Sequence, residues 1–254
     1  MSTLLSEPGA AERQLPYSVR FEWGLDGARA VVPHADLAVV VDVLSFTTCV
    51  SVAVERGATV FPYPMMDAGA SEFAAHRQAS LAGPRGSEGL SLSPAGLREA
   101  RTLDRVVLPS PNGSTISYEL AASARQVVAV SLRNAAATAD WVLSMLPGDA
   151  VIAVIAAGEK WGHGGLRPAL EDELGAGAFI AGLAAAGRDN FSPESAAAAA
   201  AFDAAEPHLG AVLRGCSSGR ELVDAGYSQD VAIAAELDAS SAVALLKDGA
   251  YQAA

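Results

Sequence analysis

Short apolar runs recur along the chain, and their period alternates between two and about 3.6. Residues 17–23, YSVRFEW, alternate apolar and polar positions as a strand does. Residues 35–44, ADLAVVVDVL, form a continuous β-branched run, the pattern of a strand buried on both faces. The next stretch, SFTTCVSVAVERG, reads as a helix with Ser45 or Thr47 at its N-cap and Gly57 closing it. ATVFPYP is a short strand, and DAGASEFAAHRQAS is a helix capped by Asp67. Three further strand–helix pairs follow. RVVLPS leads to NGSTISYELAAS, QVVAVS to NAAATADWVLSML, and DAVIAVIAAG to PALEDELGAGAFIAGLAAAG. This βαβα rhythm predicts an α/β fold, a mainly parallel sheet flanked by helices, built from residues 15–187.

After Gly187 the period stays helical. Residues 192–238 give one helix pattern after another, including the poly-Ala stretch at 196–201, whose helix propensity accounts for it. SAVALL, residues 241–246, is a candidate closing strand. Residues 190–254 are therefore expected to form a C-terminal helical layer packed on the core, within one unit spanning 1–254. Ala-rich helices bury too little area to support a core of their own.

Composition narrows the function. The 254 residues are 51% hydrophobic, enough for a large core, and carry a formal net charge of -12. That balance argues against nucleic acid as a partner, because phosphate-backbone affinity needs clustered Lys and Arg. It leaves room for a small anionic substrate, since a local site can be positive on an acidic surface. Cys49 and Cys216 stand alone, which excludes a disulfide framework and a zinc site. The first residues, MSTLLSEPGAAERQLP, lack the basic and apolar regions of a signal peptide, and no run is long enough to span a bilayer. The expectation is a cytoplasmic protein with no membrane partner.

In parallel α/β sheets ligands bind beyond the carboxyl ends of the strands. Three such ends here are polar. At the first, Asp42 sits in an apolar run, so it either caps the next turn or binds a cation, and Thr47 and Thr48 follow at a helix N-terminus. At the second, Asn112-Gly113 signals a turn, and Ser114 and Thr115 open a helix whose free N–H groups suit a phosphate. The third, GEKWGHGGLRPALEDELGAG, combines four loop glycines with Lys160, His163 and Arg167, then places Glu171 and Asp172 in a helix's first turn. Adjacent helical carboxylates diverge by about 100°, so one would ligate directly and the other act through water or a neighbour. Oxygen ligands without a Cys–His cluster favour Mg²⁺.

The succession VDVL-x-x-TT, NGST, S-x-x-NA, AG…LEDELGAG and SSGRELVDAGYSQDVAIAAELD, from about residue 37 to 246, resembles the 2-phosphosulfolactate phosphatase family. The resemblance implies an α/β fold particular to that family and a Mg²⁺-dependent acid phosphatase. The reaction would convert 2-phosphosulfolactate and water to sulfolactate and phosphate, a step toward coenzyme M. It implies that Asp42, Asn112, Gly113, Ser114, Thr115, Glu171 and Asp172 line the active cleft. Asp42, Glu171 and Asp172 would act in catalysis and hold the metal. Ser217, Gly219 and Arg220 match the family's S-x-G-R-x-L block, and Asn134 matches its L-N-A segment. With Thr47, Thr48, Arg85, Lys160 and His163, these supply the substrate contacts.

Two departures bear on the substrate. The family pattern D-V-L-R-A-[ST]-T-T is DVLSFTT here, so Ser45 stands where Arg is expected and Phe46 where a small residue is. The family pattern G-E-R-G-G falls on LAGPRGSEG, keeping Arg85 and Gly86 but placing Pro84 at the Glu. Lys160 and His163 are expected to return the lost charge, and His163 is either a general acid or a solvated loop residue. Two functions follow: a Mg²⁺-dependent phosphatase acting on a small phosphorylated hydroxy acid, or a degenerate relative that binds an anionic metabolite or a protein partner. A homodimer is left open.

Overall fold

The computed structural model describes residues 8–64 and 67–254. The first seven residues, which carry part of the signal-peptide reading, lie outside that range. In chain order the elements are β1 (Val19–Trp23), α1 (Gly24–Val31), β2 (Leu37–Val41), α2 (Phe46–Glu55), β3 (Thr59–Tyr63), α3 (Ala68–His76), β4 (Ser80–Leu81) and α4 (Pro94–Glu99). There follow β5 (Arg105–Pro109), α5 (Gly113–Ser123), β6 (Val127–Val130), α6 (Ala135–Met145), β7 (Ile152–Ala156), β8 (Glu159–Lys160), β9 (Leu166–Arg167) and α7 (Leu170–Ala185). The chain ends with α8 (Pro193–Ala205), α9 (Leu209–Gly215), α10 (Ser217–Asp224), α11 (Ser228–Ala234), β10 (Ala244–Lys247) and β11 (Ala250–Ala253).

Nine strands form one sheet in the order β1-β7-β2-β6-β10-β11-β3-β5-β4. β1, β7, β2 and β6 are parallel, as are β3, β5 and β4. Between these blocks lies the antiparallel hairpin β10–β11, with β10 antiparallel to β6 and β11 antiparallel to β3. The fold is thus α/β and mainly parallel, as expected. The sheet, however, does not end at residue 187: the last strands of the chain sit at its centre. The closing strand read at 241–246 is observed as β10, and β11 adds a partner.

β2 shows why a continuous apolar run was needed. Leu37, Val39 and Val41 point into the core with α6, α7 and α8, while Ala38 and Val40 point into the core with α1 and α5. A strand covered on both faces keeps no polar side. A third core joins α2 and α4 to β3, β5 and the hairpin. Asp67 caps α3 as expected, accepting from the N–H groups of Gly69 and Ala70. The helix read over 67–80 stops at His76, and residues 80–81 pair with β5 instead. Among the described residues no helix is long and apolar enough to cross a membrane.

Candidate active site

Asp42 lies just past β2 and is 5% exposed. Its Oδ1 accepts the N–H of Phe46 at 3.2 Å, and its Oδ2 accepts the N–H of Gly113 at 2.7 Å. One carboxylate therefore caps the first residue of both α2 and α5, joining the ends of strands from the two parallel blocks. Ser45 holds the N-cap position of α2, but its side chain makes no capping bond. Gly113 must be glycine: a Cβ there would stand 2.6 Å from the Phe46 ring and 2.7 Å from Asp42 Oδ2.

Asp172 is tied down in the same way. Its Oδ1 accepts the Val43 N–H at 2.7 Å and its Oδ2 the Gly158 N–H at 2.9 Å. Gly158 has φ +67, and a Cβ there would meet Leu166 at 2.8 Å, so a side chain would close the gap where β7 turns into the β8–β9 hairpin. Glu171, 2% exposed, lies beside Cys216, whose thiol is pushed up to about 12 by burial and by that carboxylate.

Glu159 completes the cluster, and the sequence reading passed over it. Its Oε2 accepts from Asn112 Nδ2 at 2.8 Å. Burial, and then the charge of Asp42, push Glu159 up to about 7. Burial raises Asp42 to about 6 against the pull of the Gly113 and Phe46 N–H groups, with Glu171 adding to the rise. Asp172 is raised too, by burial first and then by Asp42 and Glu171. Four carboxylates thus repel one another in a space that water reaches poorly. Perturbed carboxylates converging at strand ends are a candidate site with a physical rationale. The available signal was position: Glu159 directly follows the glycine that ends a buried strand.

Asp42, Glu171 and Asp172 do not form a ready three-carboxylate cage. No group of three or more His, Cys, Asp or Glu side chains among the described residues is placed to hold a metal ion jointly. All four oxygens of Asp42 and Asp172 already accept a backbone N–H each, though each keeps a second lone pair.

Arg85 reaches Ser45, at the start of α2. Its Nη2 donates to Ser45 Oγ at 2.6 Å, its Nε pairs with Asp230 at 3.1 Å, and its guanidinium lies over Tyr227. Asp230 is held in turn by Ser93 Oγ and the Ala95 N–H. The cation at Ser45 therefore comes from the 83–92 loop, as Arg85. Lys160 and His163 sit on the exposed β8–β9 hairpin, and their side chains form no ion pair or hydrogen bond with a described residue. Arg167, from the same hairpin, is buried more deeply and lowers Glu159 by its charge.

Several expected anion contacts are occupied by the backbone. Thr47 and Thr48 donate their hydroxyls to the carbonyls of Asp42 and Val43, Ser114 to Leu108, and Thr115 to Pro64 and Ser110. These hydroxyls brace the turns. The N–H groups of Ser114 and Thr115 meet no acceptor among the described residues; Ser114 is fully buried and Thr115 is part-exposed. Asn134 is fully buried, and its amide accepts from Ser131 while donating to Ala129 and Ala242. It braces the turn before α6 and has nothing left for a substrate. Arg220 is exposed on α10, and Gly219 gives its N–H to Cys216 Sγ.

The family profile described as 2-phosphosulpholactate phosphatase matches residues 28–249. A protein of Gloeobacter violaceus named probable 2-phosphosulfolactate phosphatase is 32% identical over 216 residues, covering 82% of this chain and 87% of the relative. One of Deinococcus radiodurans with the same name is 30% identical over 223 residues, covering 85% of this chain and 90% of the relative. With the match running from α1 to the turn of the final hairpin, the chain belongs to the 2-phosphosulfolactate phosphatase family.

Proposed function

We propose that this chain hydrolyses a phosphate monoester of a small hydroxy acid, in the manner for which its relatives are named: 2-phosphosulfolactate and water to sulfolactate and phosphate. The observation that carries the reading is the convergence of Asp42, Glu159, Glu171 and Asp172 beside the N-terminus of α5. A helix N-terminus favours a phosphoryl group. A cluster of buried carboxylates needs a cation to stay ionised beside that group.

The donor set fits Mg²⁺, which prefers oxygen and is commonly held by one or two carboxylates, its remaining positions going to water and phosphate. Glu171 would hold it, backed by Asp42 and Asp172. When bound, the ion would polarise a phosphoryl oxygen and offset the charge of the carboxylates. The chain's own residues do the rest. The N–H of Thr115, part-exposed in the first turn of α5, takes a phosphoryl oxygen, and Arg85, aimed by Ser45 and Asp230, adds positive charge. Glu159, held by Asn112 and raised to about 7, is partly protonated near neutrality and can protonate the leaving oxygen. The bond from phosphorus to the organic oxygen breaks, the bond from water oxygen to phosphorus forms, and a water proton replaces the one Glu159 gives.

The test is phosphate release from 2-phosphosulfolactate with Mg²⁺ present and after chelation. Mg²⁺-dependent release is expected. Release that survives chelation overturns the metal assignment, and none under either condition overturns the phosphatase reading.

A further inference from the structure

A pocket of about 280 Å³ lies beside Asn112, Thr115 and Glu159, between the β1–α1 turn, the first turn of α5 and the β8–β9 hairpin. A Cβ on Gly24 or Gly158 would stand 3.2 or 2.8 Å from Leu166 Cδ1, so two glycines form the notch that seats the hairpin. Lys160 is the cross-strand partner of Leu166. The two side chains therefore share a face of the hairpin, and both line the pocket. Trp161 and Arg167 pack on each other, the guanidinium 5.8 Å from the ring centroid, and neither is a pocket wall. His163 is not one either, and its ring lies against Gly165 at the hairpin tip. Of the two loop cations that the sequence offered for the substrate, Lys160 alone lines this pocket.

Lys160 is exposed and forms no ion pair with a described residue. Asp26, which also lines the pocket, is taken by Arg29 at 3.2 Å. The pocket thus joins the reacting groups at Asn112 and Glu159 to a cation that lacks a counter-charge. In 2-phosphosulfolactate the carboxylate sits on the carbon that bears the ester oxygen, and the sulfonate one carbon further out. With the phosphate at the N-terminus of α5, the sulfonate is the acid group that reaches furthest from it. We propose that Lys160 is the specificity-determining residue for that outer acid group, its ammonium donating to the sulfonate oxygens. Lysine is a compact cation with three donors, which suits a group of three equivalent acceptors. Leu166, seated in the glycine notch, is the positioning residue that fixes the strand pair from which Lys160 projects. The inference rests on the phosphatase reading and names the residue that reads its substrate.

The experiment compares 2-phosphosulfolactate with 2-phospholactate, which keeps the carboxylate and the leaving oxygen but has no sulfonate. Wild type is expected to favour the sulfonate ester. Lys160→Gln, at an exposed position that tolerates the change, is expected to lower kcat/KM for that ester about ten- to a hundred-fold. The loss falls on KM with kcat little changed, because the contact is made in the ground state and the transition state alike. On 2-phospholactate the same variant is expected to change by less than about threefold, and Lys160→Arg to keep most of the wild-type preference. A wild type without that preference overturns the assignment and leaves the phosphatase reading standing. So does a Lys160→Gln variant that loses equally on both esters, loses kcat instead of raising KM, or matches wild type on the sulfonate ester. A wild type that turns over neither ester overturns both.

Discussion

At the scale of single residues the site is organised by carboxylates that serve the backbone. Asp42 posed a choice in the sequence between cap and cation ligand, and the structure shows it capping two helices at once. Its buried place in an apolar run was legible; its partner Gly113 was not, because that contact joins residues 71 apart. Glu159 was hidden by the cations beside it. Asp42→Asn would offer one acceptor where two N–H groups converge, turning a donor toward one of them. The expected cost is about 1–3 kcal/mol of stability, together with loss of phosphate release. A thermal melt checks it, and an unchanged Tm would contradict the double cap. The pH dependence follows from the same cluster. Asp42 at about 6 and Glu159 at about 7 both lie above the ordinary carboxylate value. A carboxyl raised on folding contributes stability that is fully present below its unfolded pKa, near 4, and is lost as pH rises through the folded one. A cation competes with those protons, so it binds once they have left. Mg²⁺ is therefore expected to raise Tm more at about pH 8 than at about pH 5. Equal shifts at the two pH values would contradict a cation site there.

At the scale of elements, the long strands and helices were readable because burial on one or two faces leaves a period. α1, with two glycines in GLDGARAV, was missed. So was α4, only six residues long, although Ser93 caps it and Pro94 opens it. β4 and β11 are too short for period two to stand out from noise. Contacts between elements left no local trace either. Arg133, fully buried in the turn after β6, pairs with Glu55 at the end of α2 and with Glu236 after α11, and Glu236 also holds Arg98 of α4. One guanidinium thereby ties the sheet to three helical segments. Replacing both acids, Glu55→Gln with Glu236→Gln, strands that charge in the core. The loss expected is about 3–5 kcal/mol, more than the sum of the single changes if the remaining acid compensates for the missing one. Denaturant melts of the two single variants and the double variant decide it, and a double variant within error of wild type refutes the tie.

For the whole molecule, the rhythm of alternating strands and helices was enough for the fold class but not for the strand order. The C-terminal hairpin lies between β6 and β3, so the sheet joins its two parallel blocks only when the last residues arrive. Pairing between residues this distant in sequence cannot be read from local period. It has a consequence for stability. Removing residues 241–254 exposes the facing edges of β6 and β3 and opens the core that Ala244 and Tyr251 help fill. The truncated chain is expected to lose its cooperative melting transition, where an ordinary terminal deletion would shift it slightly. Retention of that transition at a similar temperature would show that the two blocks hold without the hairpin.

In the proposed reaction the buried carboxylates serve phosphoryl transfer through a cation. Unlike Asp42 and Asp172, Glu171 has no oxygen taken by a backbone N–H of a described residue, so it separates chemistry from folding. The measurement is kcat for phosphate release by wild type and by Glu171→Gln, with Mg²⁺ varied and Tm recorded for both proteins. The variant is expected to melt within a few degrees of wild type, yet to lose at least about a hundred-fold in kcat and no longer respond to Mg²⁺. A variant that keeps wild-type turnover and the same Mg²⁺ dependence would contradict it.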